Sequence, residues 1–192
     1  MLERGRRRWD DVRGALDADR LSLEQGDFFD YRGDPRFGLA LIAVNTFLIA
    51  EDDVARLAVL RTMRDSLRPG GVAAVEIGTP ERAELERYDG RLHHEWLRVD
   101  PETGDEVSKA IGAVYDASDE SVLLTQLYEW TPRYGGPLGR VTHQDHIHIV
   151  GADHLGALAR EAGFNSVDLR GDHLSTPHGP TSHRVILVAR LV

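Results

Sequence analysis

Three of the nine histidines of this chain fall within VTHQDHIHIV, residues 141–150, and all nine lie between His93 and His183. In an extended strand successive side chains point to opposite faces. His146 and His148 therefore share a face with Thr142 and Gln144, while Ile147 and Ile149 share the other with Val141. An H-x-H pair can supply two imidazole ligands to a transition metal, or a base that titrates near neutral pH. The chain has no cysteine, and no third ligand is fixed by spacing, so the pair is expected to be metal-free. Two readings stay open: His146 or His148 acts as a catalytic or pocket residue, or both are solvent-facing strand histidines.

Two other groups could meet a ligand. The run FGLALIAVN ends in Asn45, Thr46 and Phe47, polar and aromatic side chains at the exit of an apolar strand. Asn45 is equally suited to begin the turn into the next helix. HHEW and LYEW carry Trp96, Tyr128 and Trp130, aromatics that could select a substrate or form a local core or a dimer contact.

The elements that must position these residues follow from periodicity. Residues 1–16 have helical spacing, with Leu2, Trp9, Val12 and Leu16 opposite Arg4, Arg6, Arg7 and Arg8, and Asp17 to Asp19 make a polar break. Leu21 and Leu23 alternate with polar neighbours, the pattern of a half-exposed edge strand. FGLALIAVN is apolar on both phases and suits a strand covered on both faces. A helix from Asp52 to Leu67 carries acids in its first turn and ends at Pro69-Gly70-Gly71, before the strand VAAVEI and a short helix near residues 81–86. Beyond Arg91 four strand-like runs, near residues 92–99, 107–115, 122–130 and 140–149, alternate with the turn clusters DPETGD, DASDE and PRYGGPLG. Short turns between adjacent strands predict an antiparallel meander. A helix within GADHLGALAREAGF, stopped at Gly163, and strands near 166–170 and 184–192 close the chain. The loop GDHLSTPHGPTSHR between the last two strands is rich in turn formers; it reads as a surface hairpin or as a lid over a cleft.

Composition excludes several classes. With 41% apolar and 29% charged residues, 192 residues can bury one ordinary core. A net charge of −9 argues against a nucleic-acid partner, and the four arginines near the start read as the solvated face of a helix. The longest apolar run, Leu39 to Val44, is too short to span a bilayer, and no apolar segment of a secretory signal follows the basic start. Zero cysteines suit a reducing compartment, so a soluble, cytoplasmic protein is expected.

In their order, MLERGRRR, LSLEQGDFFD, FGLALIAVNTFLIA, LRPGGVAAVEI, LGALAREAGFNSVDLRGD and RVILVARLV resemble the class I S-adenosylmethionine-dependent methyltransferases. None is diagnostic alone; six in sequence, with the meander between, cover nearly the whole chain. The resemblance implies an α/β fold, a Rossmann-like methyltransferase sheet that is N-terminally incomplete and carries an antiparallel β-meander insertion. It divides the chain into residues 1–90, a partial core; 91–149, the insertion; and 150–192, the rest of the core.

The resemblance also implies roles. S-adenosylmethionine would be the cofactor and a small molecule the methyl acceptor. Gly26, Asp27 and Phe28 would lie at its adenine end, Asp27 hydrogen bonding the adenine amino group and Phe28 lining the pocket, with Asn45, Thr46 and Phe47 near its methionine end. The meander would cover the cleft, with Trp96, Tyr128 and Trp130 towards the acceptor. The family's first strand, its glycine-rich loop and the acid closing its second strand would precede Met1, so cofactor binding by these residues alone is expected to be weak. A late start, a partner supplying the missing half and a relic that binds without catalysing each account for this. Without those strands LALIAV becomes an exposed apolar edge, which predicts pairing with a second copy.

Overall fold

The computed structural model describes residues 2–12, 14, 20–31 and 35–191. Helix α1 runs over Leu2–Val12; its expected continuation to Leu16 and the break at Asp17 to Asp19 lie outside the described residues, except Gly14, as does Val192 at the end of the last strand. Residues 21–27 form no strand, contrary to the alternation of Leu21 and Leu23. A strand needs a neighbouring backbone, and what lies beside this segment is a helix: Arg6 Nη2 donates to the Leu23 carbonyl at 3.4 Å. The chain then turns where the Phe29 N–H donates to Asp27 Oδ1 at 2.9 Å.

Two four-stranded sheets follow. The first contains β1 (Phe37–Ile42), β2 (Leu67–Gly78), β7 (Ser166–Arg170) and β8 (Arg184–Arg190), in the order β1-β2-β8-β7. β1 and β2 are parallel, while β8 runs antiparallel to both β2 and β7. Helix α2 (Asp53–Asp65) connects β1 to β2. It begins at Asp52, whose Oδ1 accepts the Ala55 N–H at 2.8 Å, and ends at Ser66, three residues before Pro69. Leu67 to Gly71 therefore belong to β2, through the pairing of Leu67 with Phe37, and the expected strand at residues 72–77 is lengthened at its start.

The core lies between one face of this sheet and the helices α2 and α4 (Ala152–Glu161). Ala73, Val75 and Ile77 from β2 alternate inward against Val59, Leu60 and Leu155, all buried. Each fully buried Leu or Ile of this kind contributes roughly 2 kcal/mol. Among the described residues β1 is paired on one side only: Ala40 and Ile42 lean on the core, whereas Leu39 and Leu41 are 57% and 61% exposed. The strand expected to be covered on both faces is an apolar edge, the alternative that the sequence also foresaw.

The second sheet is the meander β3 (His93–Val99), β4 (Glu106–Asp116), β5 (Ser121–Thr131) and β6 (Gly139–His148), antiparallel throughout and in sequential order. Its four strands stand within one residue of the expected bounds at every end. The pairing of Val122 with Ile147 and of Ser121 with His148 fixes its two faces. One carries Val122, Gln126, Tyr128, Ile147 and Asp145; the other carries Ser121, Leu123, His146 and His148. Among the described residues no helix is long and apolar enough to cross a membrane.

Candidate functional site

The carboxyl ends of β1 and β2 are adjacent because the strands are parallel, and ligands of open α/β sheets gather at such ends. The backbone there is unusual. Val44 and Asn45 are both left-handed, at φ 57° and 65°, a conformation that costs a β-branched residue strain. Asn45 tolerates it and ties the two strand ends together: its N–H donates to the Glu76 carbonyl at 3.4 Å, and its Oδ1 accepts the Gly78 N–H at 2.6 Å. The Leu48 N–H donates to the Asn45 carbonyl at 2.9 Å, and Thr46 Oγ1 to the Ala43 carbonyl at 3.0 Å, closing a 3-10 turn over Thr46–Ile49.

Beside this turn opens a cleft of about 320 Å³, lined by Asn45, Gly78, Glu84, Tyr88, Val122, Ile147 and His183 among others. Four segments build it. Glu84 lies in the short helix α3 (Arg82–Leu85) that follows β2, and Tyr88, four residues on, donates from Oη to Glu84 Oε1 at 3.3 Å. Burial, then the Glu84 charge, pushes the Tyr88 phenol above its ordinary range, so it stays protonated at neutral pH. His183 is held against the end of β2 by the Thr79 N–H, which donates to its carbonyl at 3.0 Å. Val122 and Ile147 are the first residues of the meander face that turns towards the core, and they give the cleft an apolar wall.

The residues expected at a site are distributed unevenly about this cleft. Asn45 lines it. Thr46 is exposed at its rim, with its hydroxyl committed to the Ala43 carbonyl. Phe47 does not line it: the residue is 0% exposed and belongs to the core cluster, turned inward at the 3-10 turn. Gly26 and Asp27 are exposed on the segment before β1, and Phe28 stacks on Phe29 at 4.5 Å between centroids. Phe28 lines a different hollow, about 280 Å³, alongside Leu39, Ile42 and Met63.

Trp96, Tyr128 and Trp130 share the meander face that Val122 begins. Trp96 and Tyr128 meet edge to face at 6.2 Å, with Lys109 over the Tyr128 ring at 5.7 Å and paired with Glu95 at 2.8 Å. Tyr128 is six residues beyond Val122 on the same strand, roughly 20 Å farther from the cleft. Trp130 folds across β6, where a Cβ at Gly139 would fall 1.9 Å from its ring. His146 and His148 occupy the opposite face. His146 Nε2 lies 3.0 Å from the buried Ser121 Oγ, and the two imidazole centroids are 4.6 Å apart. Burial, then the neighbouring His146, lowers the His148 pKa. Among the described residues no three His, Asp or Glu side chains gather as metal ligands would. A shallow hollow on this side contains Asp53, whose carboxylate is held below its usual range chiefly by the hydrogen bond with His154 at 2.9 Å, and Arg56 at 3.0 Å.

No family model matches the sequence. A cypemycin N-terminal methyltransferase from a Streptomyces species is 25% identical over 173 residues, 90% of this chain and 65% of that relative's own length. Among solved structures, the CcbJ methyltransferase of Streptomyces caelestis superposes on 100% of this chain and 75% of its own, with a TM-score of 0.76 at 16% identity. A sugar N-methyltransferase from Streptoalloteichus covers 93% of this chain and 66% of its own, with a TM-score of 0.70 at 17% identity. The chain has the class I S-adenosylmethionine-dependent methyltransferase fold. The chain thus spans about two thirds of the length of these methyltransferases.

Of the residues expected to meet the cofactor's methionine part, Asn45 lines the cleft. Asn45 keeps its Nδ2 donor uncommitted at the cleft and could hold the methionine part. The glycine pairs do not supply a loop opening a helix after a strand: Gly70 and Gly71 lie within β2, and Gly135 and Gly136 lie between β5 and β6. Sequence reasoning missed Glu84, Tyr88 and His183. The signal for Glu84 and Tyr88 was positional, since residues just beyond the carboxyl end of a sheet strand can line the ligand site, whereas His183 closes the turn-rich loop that precedes β8.

Proposed function

We propose that the protein takes part in S-adenosylmethionine-dependent methyl transfer, in the cytoplasm, to a nitrogen of a small-molecule acceptor bound in the cleft between Asn45 and the Val122–Ile147 wall. The cleft carries this reading: it stands at the carboxyl ends of adjacent parallel strands and is entered by a strained, hydrogen-bonded turn. A nitrogen acceptor is supported by the names of two relatives, an N-terminal methyltransferase and a sugar N-methyltransferase. The cofactor, when bound, supplies an activated methyl group on a sulfonium, so the protein's work is alignment and proton removal. Asn45 fixes the strand ends, Val122 and Ile147 keep water from the reacting nitrogen, and His183 is of the residue type that accepts a proton near neutral pH.

Incubation of the purified chain with a panel of primary amines and methyl-labelled cofactor, supplied at about 1 mM because weak cofactor binding is expected, tests this. Label in an amine product supports it, and His183→Ala should then lower kcat by about 100-fold. No transfer to any amine favours a non-catalytic binding subunit, the reading suggested by the absence of a glycine loop among the described residues.

A further inference from the structure

Glu84 stands out among the carboxylates near the cleft because, among the described residues, no Lys or Arg pairs with it. Glu86, on the same turn, pairs with Arg82 at 3.1 Å, and Glu76 pairs with Arg184 at 2.7 Å. Glu84 is half-buried, lines the cleft, and accepts one long hydrogen bond, 3.3 Å, from Tyr88. No Lys or Arg contributes to the cleft lining, which is otherwise apolar or neutral apart from His183. A carboxylate withdrawn from water without a counter-charge is costly, and the cost is relieved when a cation enters. Tyr88 completes the arrangement: at i+4 it sits on the same side as Glu84, its phenol steadies one carboxylate oxygen, and its ring offers a surface that attracts a cation.

We infer that Glu84 and Tyr88 form the subsite that receives the acceptor, as a protonated aliphatic amine. The assignment rests on the methyl-transfer reading for its place in a reaction, though not for its geometry. In the bound state the ammonium N–H groups donate to Glu84, and the nitrogen lies at the mouth of the Asn45 turn. To become a nucleophile it gives up one proton, the N–H bonding pair becoming the lone pair; the imidazole of His183 is the acceptor in the cleft that gains an N–H bond. Selection follows directly. A neutral alcohol of the same shape gains neither the ion pair nor the ring contact and leaves Glu84 uncompensated.

The probes are benzylamine and benzyl alcohol, titrated separately into the full chain and followed by NMR shifts of the backbone amides and the Tyr88 ring. The amine is expected to bind about tenfold more tightly than the alcohol, with shifts centred on residues 84–88 and 183. Glu84→Gln should reduce that preference to within about twofold, and Glu84→Asp should retain part of it. Should Glu84→Gln fail to fold, the amine-to-alcohol ratio of the unaltered protein at low and high salt decides alone, since an ion-pair preference shrinks with salt. Equal binding of the two probes, a preference that survives Glu84→Gln or is indifferent to salt, or no amine binding up to about 10 mM overturns the subsite. Amine selection without methyl transfer removes the proposed function and keeps the subsite. Methyl transfer to amines with KM unchanged in Glu84→Gln does the reverse.

Discussion

The turn at Val44–Asn45 lends itself to a quantitative test because its two residues sit in the same backbone region for opposite reasons. Asn45→Ala removes the 2.6 Å bond from the Gly78 N–H, at a site partly open to water, which costs about 1 kcal/mol. It also places a residue without a compensating side chain at φ 65°, for about 1 kcal/mol more. The sum, about 2 kcal/mol, should lower the urea midpoint by roughly 1 M for a protein of this size. Asn45→Gly loses the bond but relieves the backbone, so about 1 kcal/mol is expected. Val44 is 84% exposed and has little packing to lose. Val44→Gly should release about 1–2 kcal/mol of strain against roughly 0.5–1 kcal/mol of added chain entropy, a small net gain. Equilibrium urea melts of the three variants give the ordering directly. If Asn45→Gly costs as much as Asn45→Ala, or if Val44→Gly destabilises, the turn is not strained as described and loses its standing as a device built at the strand ends.

Titration calorimetry should find S-adenosylmethionine bound weakly or not at all by residues 1–192, and saturable micromolar binding would show that another part of the chain completes the cofactor site. Elemental analysis of the native protein should give well under one equivalent of zinc, nickel or iron; a stoichiometric metal lost on changing His146 and His148 to Ala would overturn the metal-free assignment. The exposed edge of β1 should make the chain a homodimer or a soluble aggregate by light scattering, with Leu39→Lys and Leu41→Lys together shifting it towards monomer. A monodisperse monomer that melts cooperatively without those changes would mean that the edge is covered within one chain.

Elements whose signals are local were legible. The meander strands are bounded by turns that the sequence names: Asp100 Oδ1 accepts the Glu102 N–H at 2.8 Å in DPETGD, and Asp116 Oδ1 accepts the Ser118 N–H at 2.8 Å in DASDE. Helix α2 was bracketed by its Asp52 cap. RLSLEQ failed for the opposite reason. Alternation describes how a strand would divide its side chains between faces, but whether a strand exists depends on a neighbour far away in sequence, and Leu23 meets α1 instead. Pro69 is a stop that lies beyond the true end of α2: Ser66 ends the helix with its hydroxyl donating to the Thr62 carbonyl at 2.8 Å.

The site was legible only where one segment sufficed. The position of Asn45 follows from the end of a single apolar strand, whereas that of Phe47 depends on a turn of the backbone that decides between cleft and core. The histidine pair shows the limit more clearly. That His146 and His148 share one strand face follows from a period of two; which of the two faces meets the cleft is decided by Val122 pairing with Ile147, a relation between strands that no single-strand pattern contains. The same pairing carries Tyr128 onto the cleft's face yet roughly 20 Å along it, so the aromatic cluster and the cleft share a surface without sharing a pocket. A small acceptor seated against Glu84 would therefore leave Trp96 and Tyr128 untouched. If substitutions there change amine turnover, the acceptor must extend along the meander, and the cleft holds only its reacting end.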